Sequence, residues 1–389
     1  LRAAYSHTGQ ITISPYHIQN VFDVAAGYPF GSQAGLLLDP TYNNPNLVPE
    51  QTIEKEIGIE LGFWNDRVNL NADFYTSNTS GQTFPVQISP FTGYSSAFVN
   101  AGNVLSKGVE LGVNLTVLRN SASGLKWDIG ANYSWNGSKV LSMYQGVKDF
   151  NIGGYTGLGP SAHAVVGYPF PVLETNDIKR DPQGHPIIDP VTGEPILGDT
   201  AQIIGRATPS NILNLNTTLS WKNFTFYVEA SYRAGNVFDS YVGSQLNFTG
   251  TSEFTAQNGR QRFIYPNSVY QENGKYIPND KYYVKNGNNQ FWTQSPYAQA
   301  GATYMVNGAF WKLRNISLTY SFKDLIRNMP FIQDLSLTIM GKNLIMLRPS
   351  QNVWTDPEFN YTNSNVTGIS NYEQLPPTRQ FGASLDVKF

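Results

Sequence analysis

The stretch EIGIELGFWNDRVNLNADFY (56–75) decides the fold. Its first half sets Ile57, Ile59, Leu61 and Phe63 at alternate positions, with Glu56, Gly58, Glu60 and Gly62 between them. Its second half repeats the pattern, with Val68, Leu70, Ala72 and Phe74 against Asn69, Asn71, Asp73 and Tyr75. A period of two sends one set to each face of a strand. Asn65-Asp66 lies between the halves as a short turn.

Outward from this pair the alternation recurs in about ten segments: 1–7, 54–64, 67–77, 107–117, 125–136, 211–221, 223–234, 311–322, 334–344 and 379–389. The last carries Phe381, Ala383, Leu385, Val387 and Phe389 on one face. Connections alternate in length. Asn65-Asp66, 118–124, Lys222 and 323–333 are short, whereas 8–53, 78–106, 137–210, 235–310 and 345–378 are long. Strands of about ten residues, apolar on one face, with short turns at one end and long loops at the other, characterise a transmembrane antiparallel β-barrel. The shared parity of Ile57, Leu61, Leu70, Leu111, Ile129, Leu215, Phe226, Leu318, Leu337 and Leu385 puts them toward lipid. In 311–322, Lys312 and Arg314 have the parity of Ile316 and Leu318, so a bulge near Asn315 or a position above the bilayer is required.

The bulk numbers fit. Among 389 residues, 40% hydrophobic, no run approaches the roughly 20 apolar residues of a membrane helix. The mean hydropathy of -0.31 is no objection, because half of each barrel strand faces a wet interior. Aromatics reach 13%, as membrane-interface girdles require, and Trp64, Trp127, Trp135, Trp221 and Trp311 fall at or near strand ends. The absence of cysteine excludes a disulfide framework, and a net charge of -2 gives nothing to attract a nucleic-acid backbone. Leu1 opens inside a strand without an initiator Met or signal peptide, so the sequence reads as the C-terminal piece of a longer precursor.

Little here suggests bond chemistry. His7, His17, His163 and His185 lack metal-ligand spacing, and the glycine cluster GGYTGLGP (153–160) lacks the Lys-Ser/Thr of a phosphate loop. The expectation is no catalytic residue, no metal and no cofactor. Glu56, Glu60, Asp73, Glu110, Asp128 and Glu229 share the lumen parity, either as a polar lining that touches a plug or as cross-strand ion pairs. The loop aromatics Tyr283, Trp292, Tyr297 and Trp354 are candidates for stacking on sugar rings or peptide side chains, and self-packing of the loops is the alternative. DPQGHPIIDPVTGEP (181–195) reads as a small hairpin, with turns at Pro182–Gly184 and Pro190–Gly193. Leu325, Ile326 and Met329, stopped by Pro330, predict a short amphipathic helix in 323–333.

At this point a family comes into view. PNLVPEQTIEKEIGIELGFWNDRVNLNADFYTSNTSGQ (45–82), GYSSAFVNAGNVLSKGVELGVN (93–114) and KWDIGANYSWNGSKV (126–140) resemble, in order, blocks of the SusC/RagA-type TonB-dependent transporters. FWKLRNISLTYSF (310–322), LSLTIMGKNL (335–344), WTDPEF (354–359) and LPPTRQFGASLDVKF (375–389) resemble the closing blocks. The resemblance implies residues 1–389 as the C-terminal part of a barrel of about 22 strands, with the plug domain and N-terminal strands outside this chain. It implies an outer-membrane importer of oligosaccharides or peptides in a Gram-negative bacterium of the Bacteroidota. The implied partners are a SusD-like surface lipoprotein as lid, the TonB complex acting through the plug, and outer-membrane lipid. Phe389 would be the aromatic end that the barrel-assembly machinery reads. A self-contained barrel enzyme of the surface-protease kind and a loop-based adhesin are the rival readings. The sparse histidines argue against the enzyme.

Overall fold

Strand pairing can be followed outward from the same hairpin. The structure, a computed structural model, describes residues 1–389 except 12, 14–17, 26–34, 121, 155–158, 284–288, 361–364, 372–374 and 376. Glu50–Phe63 pairs antiparallel with Val68–Gln87, Phe63 opposite Val68. The turn uses left-handed backbone at Trp64, Asn65 and Asp66 (φ 53, 53 and 60). Asn and Asp tolerate that conformation better than most residues.

Ten strands then pair with their neighbours in one wall. In order they are Arg2–Gln10, Glu50–Phe63, Val68–Gln87, Ser96–Asn120, Leu125–Met143, Asn211–Trp221, Phe224–Ala234, Phe310–Ser321, Asp334–Leu347 and Gln380–Lys388. All nine ladders between them are antiparallel. Thr41–Tyr42 adds a short parallel contact to Ser96 and Ala97. The expected next-neighbour wall is therefore the wall observed. Among the described residues its two outer strands pair on one side only, so the barrel is not closed.

Register turns the alternation into rows. Leu61, Leu70, Val113, Ala131, Leu215, Ala230, Leu313 and Ile345 stand opposite one another in succession across eight strands. The next row reads Glu60, Asn71, Gly112, Asn132, Asn214, Ser231 and Lys312. The apolar face is bare: Ile57, Leu61, Leu111, Phe226, Leu318 and Leu385 are exposed. Leu70, Ile129, Leu215 and Leu337 are half-covered by neighbours on that face. An apolar surface of this extent suits lipid and not water. The irregular strand resolves as the bulge. Register slips between Leu313 and Asn315, which returns Ile316 to the apolar face and leaves Lys312 opposite Ser231 on the polar one.

Three strands run well past the expected boundaries. Val68–Gln87, Ser96–Asn120 and Leu125–Met143 have 20, 25 and 19 residues. At about 3.3 Å per residue the longest reaches roughly 80 Å, far more than a bilayer needs. The expected loop 78–106 is therefore mostly hairpin, with only 88–95 connecting its strands. Beyond lipid nothing selects an apolar outer face, so the alternation lapses while the ladder continues.

The apolar cores lie in the layer carried by the long connections. A four-stranded sheet of Asp149–Gly154, Ser161–Val165, Val172–Thr175 and Gln202–Arg206 forms within 137–210. It packs Phe150 and Phe170 against Phe84, Val99 and Ala101 of the extended wall. Ala164 meets Val104 and Val140, and Leu173 and Ala162 meet Ile369. The expected turns in 181–195 form, closed by Gly184 N–H to the Asp181 carbonyl (2.9 Å) and Gly193 N–H to the Asp189 carbonyl (2.8 Å). In 323–333 the helix is a single turn, Lys323–Ile326. Ile326 alone of its three apolar residues is buried, while Leu325 and Met329 are exposed, so its amphipathic face is smaller than the spacing suggests.

Candidate functional site

Charge gathers first on the polar face of the wall. Arg2 reaches across its neighbouring strand to Asp73, with Nε 3.0 Å from Oδ1 and Nη2 2.5 Å from Oδ2. It also meets Glu60 (2.6 Å) and Glu56 (3.4 Å). Gly58 stands between the partners, and a Cβ there would lie 2.0 Å from Asp73 Oδ1. The missing side chain is what lets the pair meet over the intervening strand. Glu110 and Glu54 complete a cleft of about 470 Å³ around this cluster. Asp128 stands apart, bound by Lys126 (2.7 Å) and Thr116 (2.8 Å), and Glu229 accepts the Tyr227 hydroxyl (3.2 Å). Cross-strand ion pairing thus accounts for Glu56, Glu60 and Asp73, whereas Glu110 and Glu229 remain polar wall with no cation beside them among the described residues.

Above this the bulged strand ties the wall to loop 345–378. Arg314 grips Glu358 with two bonds of 2.5 and 2.6 Å, Lys312 adds one of 2.7 Å and Arg233 approaches to 3.1 Å. Lys312 also bonds Asp356 at 2.7 Å. Burial works against ionising Glu358, but the hydrogen bonds from Arg314 and Lys312 overcome it and bring its carboxyl down to about 2.

The loop aromatics enclose a cavity of about 570 Å³, lined by Phe254, Tyr265, Trp292, Tyr297, Tyr304 and Trp354 among others. Phe291 is its hub, stacked on Tyr297 at 4.9 Å and edge-on to Phe263 at 4.9 Å and Trp292 at 5.1 Å. Burial pushes the Tyr265 hydroxyl up to about 12 and raises that of Tyr297 as well, so both rings stay neutral. Trp354 packs edge-on against Phe254 (5.4 Å) and divides this cavity from a second of about 200 Å³. Three of the four aromatics chosen from sequence, Trp292, Tyr297 and Trp354, therefore meet at one chamber. Tyr283 does not line it. Its ring is 1% exposed and lies behind Phe291 at 5.5 Å, with its hydroxyl toward Glu194.

A further cluster sits on the four-stranded loop sheet. His163 Nδ1 is 2.6 Å from Asp149 Oδ1 and 3.5 Å from Glu174 Oε2, while Nε2 is 2.8 Å from Ser161 Oγ. Burial, with the Asp149 carboxylate beside it, holds the Glu174 carboxyl above its usual range. His17 and residues 155–158 of the glycine cluster lie outside the described residues.

The family described as "TonB dependent receptor-like, beta-barrel" matches residues 1–344. The chain belongs to the TonB-dependent receptors. TonB-dependent receptor P3 of Formosa agariphila is 24% identical over 414 residues, covering 100% of this chain and 39% of its own length. TonB-dependent receptor SusC of Bacteroides thetaiotaomicron is 24% identical over 344 residues, 84% of this chain and 32% of its own length. The RagAB peptide transporter superposes with a TM-score of 0.74 at 18% identity, over 100% of this chain and 40% of that one, and so shares the fold. The chain spans about two fifths of the length of receptor P3.

Within this receptor wall, sequence reasoning missed two groups. Glu358 and Asp356 lie inside the quoted WTDPEF block, but their cations come from a strand more than thirty residues away. The off-parity Lys312 and Arg314 were the usable signal, since two cations on an apolar face demand partners. Asp149, His163 and Glu174 have no such signal. Their meeting depends on the register of three short strands inside a long loop.

Proposed function

We propose that this chain is the C-terminal wall and outer chamber of an outer-membrane importer that takes up oligosaccharides or peptides with energy from TonB. The single observation that supports it best is the aromatic chamber of about 570 Å³ that the long connections 235–310 and 345–378 build at one end of a wall with a bare apolar face. Aromatic faces bind sugar rings and apolar peptide side chains, and a cavity of this size suits a short oligomer. With Phe389 at the periplasmic end, every long connection falls on the other side, so the chamber faces the medium. The likeness in fold to the RagAB peptide transporter supports a peptide cargo, and the family resemblance supports a SusD-like lipoprotein as lid. In this reading the plug, the TonB contact and the first strands correspond to the roughly three fifths of receptor P3's length that this chain does not span. The work is binding and gating, with no bond chemistry. In this reading Phe389 is the aromatic signal for barrel assembly, and its 79% exposure supports that role.

The test is uptake. Cells carrying the full-length protein are given labelled oligosaccharide and peptide pools, with and without TonB. Accumulation of one class that needs both proteins supports the reading. Equal accumulation in a deletion strain for every pool removes it.

A further inference from the structure

The loop sheet carries a constellation that import does not use. Ser161–Val165 pairs with Val172–Thr175 on one side and Asp149–Gly154 on the other. Glu174 stands opposite Ser161, and Asp149 stands opposite Val165. Each is thus two residues along from His163, on the same face, the diagonal distance that long side chains bridge. The other face, with Ala162, Ala164 and Leu173, is packed into the apolar cores. The three side chains therefore project from a sheet that cannot easily shift.

We propose that Asp149, His163 and Glu174 bind a divalent transition-metal ion of the zinc class. Their ligand atoms all lie within 4.8 Å of one another. Around a zinc ion with bonds of about 2.0–2.2 Å, tetrahedral ligand atoms stand about 3.4 Å apart. Glu174 Oε2 is already 3.5 Å from Nδ1, and Asp149 Oδ1, at 2.6 Å, needs to move out by less than the length of a bond. Ser161 on Nε2 orients the ring, as outer partners of metal-bound histidines do.

Charge and ligand type decide against two other uses of the cluster. Ser161, His163 and Asp149 alone reproduce the hydrogen-bond chain of a nucleophilic triad. A triad has no need of a second, buried carboxylate at the same nitrogen, whereas a dication does. Two carboxylates converge on Nδ1, and no lysine or arginine is recorded within salt-bridge reach of either among the described residues. Calcium takes six to eight oxygens and is poorly served by an imidazole. This inference stands apart from the import reading, because metal binding is measured without transport.

The experiment is calorimetric titration of zinc chloride into the full-length protein in detergent, after chelator treatment and dialysis. Cobalt absorption serves as the spectroscopic check. Wild type is expected to bind one equivalent that His163→Ala and the near-isosteric Glu174→Gln both lose, with the cobalt bands. Ser161→Ala should keep that equivalent at roughly tenfold lower affinity. Wild-type stoichiometry and affinity in the folded Glu174→Gln protein, or no binding of either ion to wild type, would overturn the proposal.

Discussion

Glu358→Gln is the substitution that should loosen loop 345–378 most for the least change in shape. Glu358 receives two bonds from Arg314 and one from Lys312, and Arg233 lies at 3.1 Å. Its carboxyl falls from an ordinary 4.5 to about 2. Two and a half units at about 1.36 kcal/mol each give about 3 kcal/mol. Removing one partner of a buried pair costs about 3–5 kcal/mol, and the low end applies because Asp356 still holds Lys312. The effect belongs to loop 345–378 more than to the wall, so amide hydrogen exchange is the assay. Backbone donors at Asn352, Thr355 and Phe359 are bonded within this segment and report its opening. A loss of about 3 kcal/mol should speed their exchange by about two orders of magnitude. The pH dependence has a definite sign. The folded pKa lies below the unfolded one, so the stabilisation is full above about pH 4.5 and drains away as pH falls toward 2. Exchange within twofold of wild type at pH 7 in the variant would refute the idea that this carboxylate latches the loop.

Other outcomes follow from the same geometry. Leu215→Arg, in the middle of the apolar row, should cost ~2–4 kcal/mol in urea unfolding from lipid vesicles, and an unchanged midpoint would count against a lipid-facing position. Trp354→Ala should merge the two cavities and, where Trp354 stacks on the cargo, weaken binding by about 1 kcal/mol, roughly fivefold, in fluorescence titration. Asp239 is 2% exposed, with Oδ2 unpartnered among the described residues, and burial pushes its carboxyl up to about 8. Its folded pKa lies above the unfolded one, so stability of the loop layer should fall as pH rises from about 4 to 8, and Asp239→Asn should flatten that slope in exchange measurements.

The wall was legible because lipid writes on sequence. Each strand that crosses a bilayer must alternate, and Ile57 to Phe74 does so without a break except at its turn. The same rule revealed its own exception, since Lys312 and Arg314 called for a bulge or a place above the bilayer, and the bulge is present. Above the membrane the constraint lapses. SNTSGQTFPVQ (77–87) is ladder, yet it reads as loop because neither face is selected for lipid. The chamber was half legible. Aromatic richness pointed to Trp292, Tyr297 and Trp354, but nothing in the chain order distinguishes Tyr283, buried behind Phe291, from rings that line space. Clusters built by register between short loop strands, as at His163, carry no spacing to read.

The central claim is that the long connections and their chamber face the medium from an outer-membrane wall. Impermeant maleimide labelling of intact cells tests it directly, with residues 1–389 free of cysteine and any cysteine elsewhere in the full-length protein replaced. Val191, 80% exposed in the 137–210 segment, and Asn65, in the turn of the first hairpin, mark opposite ends of the wall. In cells without any SusD-like lipoprotein, Val191→Cys should label at once and Asn65→Cys only after the outer membrane is breached. Labelling of Asn65→Cys in intact cells, with Val191→Cys shielded, would invert the topology and contradict the importer.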